Sequence, residues 1–265
     1  MPSQSAPSKP ATRRVFITGA SSGIGAALAR YYAAQGAVLG LVARRGELLA
    51  ELAASLNTEC ITYAVDVRDA VAMRTAAEDF MQRHGTPDIV IANAGVSRGT
   101  LTQYAEDLAA FRAVMDINVL GLLHTFHPFI EPMCRSGQGH LAGIASVAGL
   151  RGLPGASAYS ASKAAAISYL ESLRVELTKT GVSVTTLCPG YIRTPMTDVN
   201  TYPMPFMMEA DDAAAKMARV IEQKRRYVIL PWQMALVGRL MKLLPAWVWD
   251  WAMKNAPHKA RVNLN

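Results

Sequence analysis

Cysteine is scarce in this chain. Cys60, Cys134 and Cys188 are odd in number and widely spaced, and no Cys-x-x-Cys occurs. That argues against a disulfide framework or a zinc site and for a reducing compartment, the cytoplasm. Histidine is scarce as well. His124 and His127 stand at i, i+3 with no third ligand in view, so packing or surface roles are expected and no metal. Aromatics make up 7% of the chain, and all four tryptophans are crowded between Trp232 and Trp251. No uninterrupted apolar run reaches roughly eighteen residues, so no membrane-spanning helix is expected. Residues 1–12 are rich in Ser and Pro and lack an apolar centre; they read as a disordered tail and not as a secretory signal. Acidic residues are in deficit, 20 against 27 basic, for a net charge of +7. The basic residues are scattered and form no nucleic-acid motif, so no nucleic-acid partner is expected. The charge suits an anionic ligand or an anionic membrane surface. Apolar residues are plentiful: 51% of 265 residues, enough to bury the core of one large α/β domain or two small ones.

The stretch around which the chain is organised is Tyr159-Ser-Ala-Ser-Lys163. It opens an Ala-rich run, Ser160 to Leu177, whose apolar spacing predicts a helix. Residues four apart share a helical face, so the Tyr159 hydroxyl and the Lys163 ammonium can point at one spot. A nearby positive charge favours phenolate and lets a tyrosine exchange protons near neutral pH. Such a pair also arises by chance on a surface. Against chance, none of the other tyrosines has a lysine four residues on, and Ser146 ends an apolar run thirteen residues upstream of Tyr159. A Ser at a strand end, a Tyr and a Lys supply an oxyanion donor, a proton donor and a tuning charge. That set needs a cofactor.

The start of the chain offers a site for one. Arg14 to Thr18 reads as a strand, Thr18-Gly19-Ala-Ser-Ser-Gly23-Ile-Gly25 as a turn, and Ala26 to Gln35 as a helix. Strand, Gly-rich turn and helix make the first unit of a dinucleotide-binding fold, with phosphates at the helix N-terminus. The second strand, Ala37 to Ala43, ends in Arg44-Arg45, where an acidic residue would select NAD. Arginine there accommodates a 2′-phosphate, so NADP(H) is expected to be preferred over NAD(H). The alternative is a solvated Arg pair capping the loop. The third strand, Cys60 to Val65, leads to Asp66-Val67; Asp66 either bonds the adenine amine or caps the next helix, for which Asp69 is the other candidate. Strand four, Asp88 to Ala92, runs into Asn93-Ala94-Gly95, small residues that let backbone approach a ribose. Residues 103–135 read as mostly helical. Asn118 within them is a poor helix former, expected to face solvent or mark a kink unless it holds water beside an active site. Strands five (His140 to Ala145) and six (Val182 to Leu187) end at Ser146 and at Cys188-Pro189-Gly190. A Pro-broken, Met-rich segment up to Met208 suits an adaptable apolar cover over a substrate. Asp211 is the expected cap of a helix to Gln223, and Tyr227 to Leu230 a last strand.

Thr18-Gly-Ala-Ser-Ser-Gly-Ile-Gly25, Asn93-Ala-Gly95, Asn118, Ser146, Tyr159-x-x-x-Lys163 and Pro189-Gly190 stand in the order and spacing of the short-chain dehydrogenases/reductases, which this chain resembles over about residues 13–230. The resemblance implies a Rossmann-type doubly wound parallel sheet of seven strands, order 3-2-1-4-5-6-7, with helices on both faces. It implies that Tyr159 is the acid/base, that Ser146 orients the carbonyl, that Lys163 binds the nicotinamide ribose and lowers the Tyr159 pKa, and that Asn118 completes a proton relay through water. The cofactor residues it implies are Gly19, Ser21, Ser22, Gly23, Ile24, Gly25, Arg44, Arg45, Asp66, Val67, Asn93, Ala94, Gly95, Tyr159, Lys163, Pro189, Gly190, Ile192 and Thr194. The helices carrying Asn118 and Lys163 commonly build the family's dimer interface, so a homodimer or homotetramer is expected.

Residues 231–265 are different material, apolar and Trp-rich, with Pro245 dividing two short helical pieces and Arg239, Lys242 and Lys254 interspersed. They read as packing or a subunit contact, as a substrate lid, or as a membrane-surface element. The leading functional expectation is an NADPH-dependent reductase or dehydrogenase of a moderately apolar small-molecule carbonyl or alcohol. The runner-up is a reductase of 3-oxoacyl thioesters, whose acidic carrier would suit the basic charge. A non-catalytic NADP-binding regulator belongs to another class and would be expected to have a damaged Ser-Tyr-Lys set.

Overall fold

Short aliphatic and β-branched runs form seven strands: β1 (Arg14–Thr18), β2 (Val38–Ala43), β3 (Cys60–Ala64), β4 (Ile89–Ala92), β5 (Gly139–Ile144), β6 (Val182–Pro189) and β7 (Tyr227–Leu230). They pair in parallel in the order β3-β2-β1-β4-β5-β6-β7, as the resemblance implies. A parallel sheet is covered on both faces, so its strands are apolar throughout rather than alternating; all of β4 is buried. The computed structural model describes residues 12–256, 259 and 261, and the expected N-terminal tail lies outside them but for its last residue.

The covering helices are α1 (Gly23–Ala33), α2 (Gly46–Ser55), α3 (Ala70–His84), α4 (Asp107–Met115), α5 (Gly121–Ser136), α6 (Ser157–Glu176) and α7 (Ala210–Glu222). Successive strand residues point to opposite faces. Val15 and Ile17 join the apolar cluster that includes Leu28 of α1, Leu49 of α2 and Met217 of α7. Phe16 joins the other, with Phe80 and Phe129 at ring-centroid distances of 5.5 and 4.9 Å. The chain crosses from β3 to β4 past β2 and β1, which opens a crevice at the carboxyl ends of β1 and β4. Ligands bind at such a point in open α/β sheets.

Several local expectations shift. The catalytic-motif helix starts at Ser157 rather than Ser160, which places Tyr159 inside its first turn. Asp211 does not cap α7; Glu209 holds that position, and Asp211 sits in the first turn, where it pairs with Arg30 at 2.5 Å and complements the helix dipole. Strand six runs on to Pro189 because its pairing with β7 continues to Pro189↔Leu230. The helical stretch expected over 103–135 begins at Asp107 and is interrupted by a π turn, Asp116–Leu120, that contains Asn118. The whole run Asp107–Ser136 is long and apolar enough to cross a membrane by composition. Its apolar face lies in the domain core, with Phe126, Phe129 and Met133 fully buried.

Beyond β7 come α8 (Trp232–Leu243) and α9 (Ala246–Met253), divided at Pro245 as expected. Met234 packs at Gly190, and Gly238 lets α8 come close to Leu150. Arg151 fastens the pair: its Nη1 donates to the carbonyls of Met241 and Leu244, both at 2.6 Å, and its guanidinium lies 4.9 Å from the Trp249 ring centroid. Further on, Arg261 forms a bidentate pair with Asp107 at 2.9 and 3.1 Å and stacks on Tyr104. Arg261 is therefore tied to the start of α4.

Candidate active site

A cleft of about 580 Å³ opens at the carboxyl edge of the sheet. One wall is the Gly-rich turn. Gly19 has φ +67°, and a Cβ there would stand 2.7 Å from Ala94 Cα; a Cβ on Gly25 would collide with the Gly19 carbonyl. The turn is therefore closed against β4 at a spacing that admits no side chain. Asn93 locks it: its Nδ2 donates to the carbonyls of Thr18 and Gly19 at 3.0 and 3.1 Å. The Ser22 side chain precedes α1 without capping it. The first N–H groups of that helix thus keep free donor capacity, which is what a dinucleotide diphosphate needs.

Next along the cleft stand Arg44, Arg45, Asp66 and Val67. Arg45 Nη2 donates to the hydroxyls of Ser21 and Ser22 at 3.1 and 2.8 Å, folding over the turn. Asp66 accepts from Arg68 through both oxygens, and Arg44 lies 3.8 Å away. The hydrogen bond from Arg68 holds the Asp66 carboxyl below its ordinary range. Asp69, not Asp66, caps α3, accepting from the Val71 and Ala72 N–H groups at 3.0 Å. This corner carries three arginines against one carboxylate.

The other end of the cleft holds Ser146, Tyr159 and Lys163. Ser146 is buried at the end of β5, where its Oγ accepts from Ala148 N at 3.1 Å and donates to Pro189 O at 3.4 Å. Tyr159 keeps part of its surface on the cleft. Burial pushes its phenol up from the ordinary value, and the neighbouring Ser146 hydroxyl opposes that rise. Lys163, expected to tune that phenol, stands beside it. Lys163 Nζ lies 5.8 Å from the Tyr159 ring centroid and donates to Ile144 O at 2.8 Å, and its own burial lowers its pKa to about 8.

Every cofactor residue implied by the sequence lines this cleft except Gly25, which packs behind it, and Asn118 does not reach it either. Asn118 is buried and braced. Its amide exchanges two hydrogen bonds with the Val96 backbone, at 2.8 and 2.9 Å, and donates to Ser162 Oγ at 2.9 Å. It marks a kink, as one reading expected, but its side chain faces neither solvent nor the cleft. Thr194 stands across from Gly23, and Thr197 closes the turn after it. His124 Nδ1 donates to Val67 O at 2.9 Å, while His127 faces outward.

Sequence reasoning missed Arg98 and Lys259, both on the cleft wall. Lys259 Nζ donates to Met196 O at 3.0 Å. Burial lowers the Lys259 pKa, and so does the charge of Arg98. No local pattern could have joined residues so far apart; the Arg261–Asp107 pair that returns the tail is a tertiary contact.

Comparison with known proteins agrees with this geometry. The family described as short chain dehydrogenase matches residues 13–203. An uncharacterized oxidoreductase of Myxococcus xanthus is 39% identical over 247 residues, 91% of this chain and 96% of that protein. A short chain dehydrogenase/reductase from Burkholderia phymatum, crystallised with NAD, superposes with a TM-score of 0.80 at 25% identity over 96% of this chain and 97% of that one. An alcohol dehydrogenase from the archaeon Thermococcus sibiricus, complexed with 5-hydroxy-NADP, gives a TM-score of 0.73 at 26% identity, over 83% and 96%.

Proposed function

The chain belongs to the short chain dehydrogenase family, NAD(P)-dependent oxidoreductases of the Rossmann type, and from that we propose that it interconverts a ketone or aldehyde and the corresponding alcohol with NADP(H). The observation that carries the reading is that Ser146, Tyr159 and Lys163 stand together on the wall of the same cleft as the open Gly-rich turn. The NADP preference rests on Arg44 and on Arg45, held over Ser21 and Ser22. A 2′-phosphate there meets two guanidinium groups, a geometry in which charge-assisted bonds are strong.

Bound nicotinamide supplies or accepts the hydride. The protein does the rest. In reduction, Ser146 and Tyr159 donate to the carbonyl oxygen and stabilise the charge that develops there. Tyr159 then delivers its proton. The raised phenol pKa keeps the acid form populated at neutral pH, which favours reduction. Lys163 holds the ribose side of the cleft. Asn118 acts as a positioning residue, fixing Val96, in the loop after β4, against the helix that carries Tyr159 and Lys163. Val96, Ile192, Pro195, Met196 and Val199 line the cleft with apolar surface, which suits a moderately apolar substrate. The outer faces of α4, α5 and α6 leave Leu108, Leu123 and Val175 exposed, in keeping with a homodimer or homotetramer built there. The free cysteines suit the cytoplasm.

A second reading, reduction of a 3-oxoacyl thioester, is favoured by Arg98 and Lys259. Neither forms an ion pair among the described residues, and both face the cleft, where an anionic substrate arm would meet them. The deciding experiment is NADPH oxidation assayed with neutral ketones of graded length beside a 3-oxoacyl thioester. Turnover of neither class would overturn the enzymatic reading.

A further inference from the structure

The two C-terminal helices have two apolar faces where one is enough. The inner face is accounted for. Met234 and Gly238 of α8 are buried, and in α9 Trp249 Nε1 donates to Gly152 O at 3.2 Å. The outer face is not. Trp232, Leu236, Leu240 and Leu243 recur every three or four residues along α8, exposed by 68, 55, 59 and 80%. Trp247 and Trp251, four apart on α9, are exposed by 75 and 71%. Residues at these spacings share one side of a helix, so each helix turns a row of large apolar side chains to the outside. Exposed rows of large apolar side chains like these mark an interaction surface.

The lid expectation does not account for it. None of these six side chains lines the cofactor cleft. Nor are the helices loosely attached: Arg151 clamps the carbonyls of Met241 and Leu244 and stacks on Trp249. The outward row is presented by an anchored element.

Charge decides between occupants. The span from Trp232 to Lys254 carries Arg239, Lys242 and Lys254, all exposed, and one acid, Asp250. A second copy docking face to face by a twofold axis would set one net-positive patch against another. An anionic lipid surface takes both features. Tryptophan prefers the boundary between headgroups and acyl chains, and basic side chains are drawn to anionic headgroups. We infer that α8 and α9 form a peripheral docking surface for an anionic lipid bilayer. The surface abuts Arg151 and Gly152, in the segment joining Ser146 to Tyr159, so docking puts the bilayer beside the loop that frames the active site.

The inference is independent of the substrate, and its test does not use activity. The full chain is sedimented with phosphatidylcholine vesicles, with and without phosphatidylglycerol, and tryptophan emission is recorded. Binding to the phosphatidylglycerol vesicles with a blue shift, weakened by salt, is expected, with at least tenfold loss in the Trp247→Ser/Trp251→Ser variant. Arg239→Gln/Lys242→Gln/Lys254→Gln is expected to lose anionic selectivity. NADPH binding by both variants verifies that they are folded. No binding to anionic vesicles overturns the inference, as does binding that the variants leave unchanged. A dimer that the Trp variant dissociates, with no vesicle binding by the parent, assigns the patch to a second copy and overturns it too.

Discussion

Asn118 and Ser162 are joined by a 2.9 Å hydrogen bond from the Asn amide to the Ser hydroxyl, and the Ser162 hydroxyl in turn donates to the backbone carbonyl of Tyr159 at 2.8 Å. The π turn, the loop after β4 and the helix bearing Tyr159 and Lys163 are thereby one polar unit. Asn118→Ala strands the Val96 N–H and C=O, both partners of the Asn amide. Buried unpaired groups cost about 1–3 kcal/mol. A drop of that size in chemical denaturation is expected, with the loss of turnover falling on kcat more than on KM.

Tyr159→Phe keeps the ring packing and removes the transferred proton. NADPH affinity, read by fluorescence titration, is expected to stay within a few-fold, while turnover falls by roughly 100-fold or more. Wild-type turnover in this variant would remove Tyr159 from the chemistry.

Arg44→Asp places a second carboxylate at the corner beside Asp66, which Arg44 faces at 3.8 Å. The ratio of kcat/KM for NADPH to that for NADH is expected to fall by about tenfold or more, the worth of one charge-assisted hydrogen bond. An unchanged ratio would show that Arg44 does not select the cofactor.

His140 is a buried titratable group outside the site. Its Nε2 is 2.8 Å from Thr185 Oγ1, which itself donates to Arg225 O at 2.6 Å, so the ring is the donor to Thr185 and is held neutral. Burial lowers its pKa from 6.5 to about 4, helped by Lys224. Between those values the unfolded chain binds a proton that the folded chain refuses, so stability falls as pH drops from about 6.5 to 4. The contribution amounts to about 3 kcal/mol. His140→Gln, compared with the parent by denaturation across that window, is expected to flatten the acid limb.

Burial raises the Tyr159 phenol, so oxidation, which needs phenolate, is expected to speed up toward alkaline pH, while reduction holds through neutral pH. Initial rates in both directions across pH test the pair of trends; oxidation fastest below neutral would contradict them.

The sequence by itself determined the sheet and most of the cleft. Gly19, Gly23 and Gly25 sit at positions where backbone must pass backbone, and strand ends carrying Arg44, Asn93, Ser146 and Pro189 are delivered to one edge by the parallel topology. Such information is local, so it is legible along the chain. Tertiary structure decided the rest. Asn118 is buried rather than solvent-facing because the Val96 backbone offers it two partners. Asp211 falls inside the first turn of α7, two residues past the cap position of Glu209, and pairs with Arg30 of α1. Lys259 reached the cleft because Arg261 found Asp107. Composition left three readings open for the tryptophans; only packing separated Trp249, turned in against Arg151, from Trp247 and Trp251, turned out. Each of these depends on a partner remote in sequence, and which partner meets which is fixed only when the chain is folded.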